Sequence, residues 1–155
     1  MYRLLSFTIV LTIGLISQVS AQHVYPIKFD NCYLDQFKFE TDEIVAKIDT
    51  KTIIETITKG WTSKMKKEAI GDLGLQVLVD KRGNSCLVSV RNDTNLKLKK
   101  MKLNGNIDNV LQWPRQVDKI STLILLQFED GEISVKRLGT VDKVNLTEIK
   151  NNKPL

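Results

Sequence analysis

Apolar and polar residues alternate over two segments of this chain, and each segment reverses at a polar turn. The first segment has its turn at 80–84 and its alternating apolar positions are Leu75, Val77, Val79, Cys86, Val88 and Val90. The second is rich in β-branched and apolar residues over 120–128, turns at 129–132 and alternates back through 133–135. Alternation of period two around a glycine-containing turn is typical of a β-hairpin. The pattern therefore predicts two antiparallel hairpins.

Helical spacing occurs ahead of each hairpin. Thr52 and Glu55 have the spacing of a capping box, Gly60 lies where a C-terminal cap belongs, and the apolar face is Ile53, Ile54 and Ile57. The second helix is predicted from a stripe at i, i+4, i+7 and i+8, which is Leu103, Ile107, Val110 and Leu111. Gly105 weakens the start of that helix, and Pro114 ends it. Residues 61–70 between helix and hairpin are predicted to be a basic connector.

The order helix, hairpin, helix, hairpin predicts an α+β fold, a small antiparallel sheet of two hairpins with two helices packed on one face. Two weaker β-like runs, 24–29 and 33–39, precede it. A single domain is expected over 22–144, followed by a flexible tail at 145–155. Trp61 and Trp113 are expected to be core residues that border the helices.

The first 21 residues have the pattern of a cleaved secretory signal peptide. Arg3 precedes an uncharged apolar stretch at 4–16, and Val19, Ser20 and Ala21 supply small residues for cleavage. The apolar stretch is shorter than the roughly 20 residues that span a bilayer, so an uncleaved anchor is the minor alternative. We therefore expect an exported protein, periplasmic or secreted, without a stable membrane span.

Export changes what the two cysteines can do. Cys32 and Cys86 can form a disulfide outside the cytosol, and the alternative is two separate thiols with Cys86 packed as a small apolar residue. Two distant cysteines and His23, the one histidine, do not supply the four ligands of a usual zinc site. No cofactor or metal is expected. The net charge of +5 is explained by solubility alone, although it would also suit an acidic surface.

Within residues 71–128, the turn sequence Val79-Asp80-Lys81-Arg82-Gly83 is followed by Trp113-Pro114 after a helix and then by an apolar strand. This series of motifs resembles the C-terminal domain of TonB-type energy transducers. The membrane anchor and proline-rich arm of that family are not matched here. The resemblance implies a free-standing domain that binds a protein or peptide of the cell envelope by adding a strand to a sheet edge.

The strand implied as that edge consists of Leu123, Ile124, Leu125, Leu126, Gln127 and Phe128. The alternative for Ile124, Leu126 and Phe128 is that their side chains simply fill the core. The leading functional hypothesis is thus an exported, non-enzymatic binding domain. Two other hypotheses stay open: a secreted enzyme or enzyme accessory that uses surface carboxylates, and a carrier with an apolar cavity. The carboxylates considered are Asp80, Asp130 and Glu132.

A basic run and two sequons complete the candidate chemistry. The run, which could contact phosphates or an anionic membrane, is Lys97, Lys99, Lys100 and Lys102. No aromatic residues are interleaved with it, so nucleic acid is not an expected partner and a solvated surface is favoured. Asn92 and Asn145 begin the sequons. They are reasonable glycan acceptors in a eukaryotic secretory pathway, whereas the bacterial resemblance makes them chance matches.

Overall fold

The computed structural model of the protein describes residues 22–150, so the predicted signal peptide lies outside the described residues. The helices are α1 (Thr50–Ile57), α2 (Ser63–Glu68), α3 (Leu98–Met101) and α4 (Leu103–Val110). The long strands are β3 (Gly71–Val79), β4 (Ser85–Thr94), β5 (Ile120–Glu129) and β6 (Glu132–Gly139). Three short strands are β1 (Ile27–Lys28), β2 (Lys38–Phe39) and β7 (Thr147–Glu148). No helix among these is both long and apolar enough to cross a bilayer.

All the strands form one sheet in the order β1-β4-β3-β5-β6-β7, with β2 beside the start of β5. Every pairing is antiparallel except that of β2 with β5. The α+β class and the two predicted hairpins, β3–β4 and β5–β6, are confirmed. A sheet of only two hairpins was too small a prediction: the β-like runs at 24–29 and 33–39 contribute β1 and β2 to the same sheet, and β7 is a two-residue strand that shows no period.

Two details of the first helical region differ from the prediction. The N-cap of α1 is Asp49, whose carboxylate accepts a hydrogen bond from the Thr52 N–H at 3.1 Å; Thr52 therefore lies inside the helix. The predicted connector contains α2, because the Thr62 hydroxyl caps it by accepting from the Met65 N–H at 3.1 Å. The sequence did not predict this short helix because half of its residues are lysines and it shows little apolar periodicity.

The second helical region is divided in two. Lys102 takes a left-handed backbone conformation with φ of 53°, and it ends α3 before α4 begins. Leu103 and Ile107 of the predicted stripe are buried, but Val110 is exposed. The basic run therefore belongs to a separate helical turn rather than to a loop or to the long helix.

The helices cover one face of the sheet. On this helix face the core joins Ile53, Ile57 and Ile107 of the helices to Leu75 and Ile124 of the strands. Trp61 and Trp113 are 7% and 3% exposed and belong to the same core, as predicted. Leu126 and Phe128 are also buried in it, so the structure confirms their packing role.

The second face of the sheet is covered in part by the N-terminal segment 22–39, through Val24, Tyr25 and Phe39, whereas Phe29 of the same segment packs against the helix-face core. Gln76 lies fully buried beneath this segment and holds it in place. Its amide accepts from the Val24 N–H at 2.9 Å and from the Ser89 hydroxyl at 2.6 Å, and it donates to the Gln22 carbonyl at 2.8 Å. A buried amide with all these partners is well satisfied, so this face forms a second, smaller interior.

Two predictions about the sheet edges are wrong. The strand that contains Leu123, Ile124, Leu125, Leu126, Gln127 and Phe128 is not an edge, because β5 pairs with β3 on one side and with β6 on the other over all six residues. The predicted flexible tail, 145–155, is described only to residue 150, and that part contributes β7 and a buried Ile149, 7% exposed. These apolar residues belong to a central strand because β5 has a paired strand on each side, and their side chains are buried because both faces of the sheet are covered.

Candidate functional site

The outer side of β6 is an open sheet edge. β7 pairs only with Leu138 and Gly139, and the Ile149 N–H donates to the Arg137 carbonyl at 2.9 Å. Along 132–136, no strand from residues 22–150 pairs on that side. Main-chain groups alternate in direction along a strand, and the Arg137 carbonyl points outward. The N–H and C=O groups of Ile133 and Val135 therefore point outward as well.

A two-residue turn sets the register of this edge. Asp130 and Gly131 both have positive φ, 49° and 82°, and Glu129 pairs with Glu132 across them. Asp-Gly with two positive φ angles is the preferred sequence of a type I′ hairpin turn. The turn consequently places two carboxylates directly opposite each other, an arrangement that destabilises a strand pair through charge repulsion.

An acidic groove of about 490 Å³ adjoins the open edge. Its lining is Ile70, Asp72, Gln127, Phe128, Glu129, Asp130, Glu132 and Ser134. Asp72 accepts a hydrogen bond from the Gln127 amide at 3.3 Å. None of the four acidic residues of the groove forms an ion pair with a described lysine or arginine. The groove is thus an unneutralised negative region beside free main-chain donors and acceptors.

The structure separates the carboxylates considered for an enzyme. Asp130 and Glu132 line the acidic groove, whereas Asp80 lies at the opposite end of β3. Burial raises the pKa of Asp80, but hydrogen bonds from the Asn84 side chain and from nearby main-chain N–H groups outweigh it and lower the pKa below its usual value. Asp80 accepts from the N–H groups of Arg82 and Asn84 at 2.8 and 2.9 Å. Its environment is that of a turn-stabilising carboxylate.

The opposite edge of the sheet, on β4, is partly occupied. β1 pairs with Ser89 and Val90, and beyond it the Thr94 N–H donates to the Asn92 side-chain oxygen at 3.2 Å. The Asn92 amide nitrogen donates to the Leu96 carbonyl at 2.9 Å. The asparagine of this sequon is therefore already engaged in local hydrogen bonds, which leaves less of this edge for a partner strand than β6 offers.

Cys32 and Cys86 form a disulfide with an S–S distance of 2.06 Å. It joins the N-terminal segment on the second face to β4, so the bridge left open by the sequence is confirmed. His23 and the two bridged cysteines do not come together as metal ligands, and no cluster of metal-binding side chains occurs within 22–150.

A scan of protein-family models, a search of curated proteins and a search of solved structures each find no match to this chain. The site therefore rests on geometry alone. Sequence reasoning missed the β6 edge and the acidic groove, although the cluster Glu129-Asp130-Gly131-Glu132 was visible. That cluster indicates the turn and its charge, but not that β6 lacks a neighbour.

Proposed function

We propose that this protein is an exported, non-enzymatic module that binds an extended protein or peptide segment by strand addition at the β6 edge. The observation that carries the proposal is that the main-chain N–H and C=O groups of Ile133 and Val135 face outward from the sheet. No described strand pairs with this edge over 132–136. Main-chain hydrogen bonds at such an edge supply affinity for any extended segment. The TonB-like character implied by residues 71–128 remains part of this proposal, with the docking strand moved from β5 to β6.

The acidic groove supplies the selectivity. Side chains of an added strand alternate between the two faces of the sheet, so every second side chain of the partner would extend over Ser134 and Glu132. A lysine or arginine at that position would approach Glu129 and Glu132 and relieve their mutual repulsion. The preferred partner is therefore an extended segment with basic residues at alternate positions.

The disulfide agrees with the exported location in this proposal. A disulfide between Cys32 and Cys86 persists in an oxidising compartment. An envelope or secreted location is compatible with that bridge, and it agrees with the signal peptide predicted for residues 1–21.

Replacing Val135 with proline is expected to abolish strand addition while leaving the fold intact. The Val135 N–H points to the open edge, so proline removes no hydrogen bond to β5. Its ring and missing donor should weaken peptide binding about tenfold or more, since the lost hydrogen bond alone is worth roughly 0.5–1.5 kcal/mol. Val135→Ala is the matched control because it removes the same side-chain packing and keeps the N–H.

The measurement uses linear peptides selected from a displayed random library on the wild-type protein, with affinities determined by fluorescence anisotropy. Hydrogen exchange should show protection of the Ile133 and Val135 amides when the peptide binds. Equal peptide affinity of Val135→Pro and Val135→Ala would contradict strand addition at the β6 edge. Selected peptides without alternating basic residues would contradict the role of the acidic groove in selectivity. Failure to select any peptide would indicate that the charged edge only prevents sheet-to-sheet aggregation.

A further inference from the structure

Five lysines form a continuous basic surface on α2 and α3. This lysine surface consists of Lys64, Lys97, Lys99, Lys100 and Lys102, all of them exposed. Lys64, Lys97 and Lys100 line a groove between α2 and the segment that leads into α3. Lys99 and Lys102 line the neighbouring groove beside α4. The two grooves lie on different sides of the single turn of α3, so a ligand that crosses α3 passes all five lysines.

Hydrogen bonds fix the two helices that carry the lysine surface. The Trp61 indole N–H donates to the Met101 carbonyl at 3.0 Å and ties the start of α2 to the end of α3. At the other end, the Asn95 side chain accepts from the Ile70 N–H at 2.9 Å and donates to the Glu68 carbonyl at 2.8 Å. The lysine backbones are therefore held at fixed separations, which lowers the entropy lost when several of them bind one ligand.

The positive charge of the lysine surface has almost no acidic residue beside it. Glu68 is the one acidic residue that lines either groove, and it lies 4.0 Å from Lys64 in an exposed pair that is worth little. The lysines of α3 and its two flanking positions form no ion pair with any acidic residue in 22–150. These five lysines and one glutamate sum to +4, and the other 18 basic and 17 acidic residues of the chain nearly cancel, so most of the net charge of +5 is concentrated here.

We infer that the lysine surface binds a linear anionic polysaccharide, an activity separate from strand addition at β6. An extended polyanion can follow two adjacent grooves and contact all five ammonium groups in turn. The apolar residues in these grooves, such as Met65, Leu96 and Leu98, are partly buried in the core, whereas a membrane-binding face needs protruding apolar side chains. Phe29 is the one aromatic residue that lines either groove, and it is partly buried against the core, so the series of stacking side chains that single-stranded nucleic acid prefers is missing.

Dextran sulfate tests this inference on the full mature protein. Binding measured by calorimetry should weaken about 100-fold between 50 and 200 mM NaCl, because each ammonium–sulfate contact releases a condensed counterion. The double variant Lys97→Gln/Lys100→Gln should bind about tenfold or more weakly at 50 mM. The matched control, Lys81→Gln/Arg82→Gln, makes the same change in net charge at exposed positions in the β3–β4 turn, at the end of β3 opposite to the lysine surface, and should change affinity less than about twofold.

Each contrary result overturns the inference. An equal loss of affinity for dextran sulfate in both double variants would show that net charge alone attracts the ligand. No binding of dextran sulfate at 50 mM NaCl would show that the lysine surface is not a polysaccharide site. Tighter binding to phosphatidylserine-containing vesicles, or to a single-stranded oligonucleotide of matched charge, would assign the surface to a membrane or to nucleic acid instead. Val135→Pro should leave dextran sulfate binding unchanged, so a failure of the edge proposal does not affect this test.

Discussion

Replacing Glu40 with alanine is expected to lower the free energy of unfolding by about 3–5 kcal/mol, because it leaves the charge of Arg137 buried without its partner. Glu40 and Arg137 are 1% and 7% exposed, and the guanidinium donates to the Glu40 carboxylate at 2.5 Å. The other carboxylate oxygen accepts from the N–H groups of Val45 and Ala46 at 2.8 and 2.9 Å. The pair therefore joins the start of the helix layer to β6.

Urea unfolding followed by circular dichroism measures this effect. Glu55→Ala, which removes an exposed ion pair to Lys51 at 3.8 Å, is the control and should cost less than about 0.5 kcal/mol. Replacing both buried partners by apolar residues, Glu40→Leu with Arg137→Met, should recover part of the lost stability, because the buried charge is removed while the N–H groups of Val45 and Ala46 still lose their acceptor. A loss below about 1 kcal/mol for Glu40→Ala would mean that water reaches Arg137 and that the pair is not buried in solution.

Removal of the disulfide is the second large effect. Cys32→Ser with Cys86→Ser should reduce the free energy of unfolding by about 4 kcal/mol, the chain-entropy value for a closed loop of about 55 residues. Sequence separation of the two cysteines is 54 residues. Without the bridge, the segment 22–39 would still be held by the pairing of β1 with β4 and of β2 with β5, by Gln76 and by packing around Tyr25.

Reduction of the wild-type protein provides an independent measurement. Wild type in reductant should match the double serine variant, and the variant itself should not respond to reductant. Hydrogen exchange should increase first in 22–39 and later in β3 and β5, which lie at the centre of the sheet. Unchanged stability on complete reduction would show that the unfolded chain is already restricted or that the bridge is strained.

The two proposed binding surfaces differ in what they require from a ligand. We propose that, at the β6 edge, main-chain groups of Ile133 and Val135 recognise an extended backbone and that the acidic groove selects basic side chains. On the lysine surface, flexible ammonium groups attract negative charge and do not read a sequence. An exported module with both surfaces could hold a protein segment close to an anionic polymer, and the salt dependence of the two affinities separates their contributions.

Local patterns predicted the elements well where tertiary contacts agree with them. Leu75, Val77 and Val79 alternate because one side of β3 meets the helices, so period two indicated the hairpin correctly. The same reasoning missed α2, since a six-residue helix made largely of lysines shows no apolar face. It also misplaced the start of α1, because Asp49 and Thr52 are both good capping residues and only the packing decides between them.

The sequence by itself determined the α+β class, the two hairpins and the cysteines available for a bridge, because these depend on periodicity, turn chemistry and composition. The tertiary structure alone decided which strand is an edge. The apolar residues of β5 suit an exposed edge and a central position equally, and the choice depends on distant segments. β6 pairs along one side of β5, β3 pairs along the other, and Val24, Tyr25 and Phe39 pack on the second face. Strand order is a long-range property. For this reason the candidate site appears on β6, where no neighbour from the described chain pairs over 132–136.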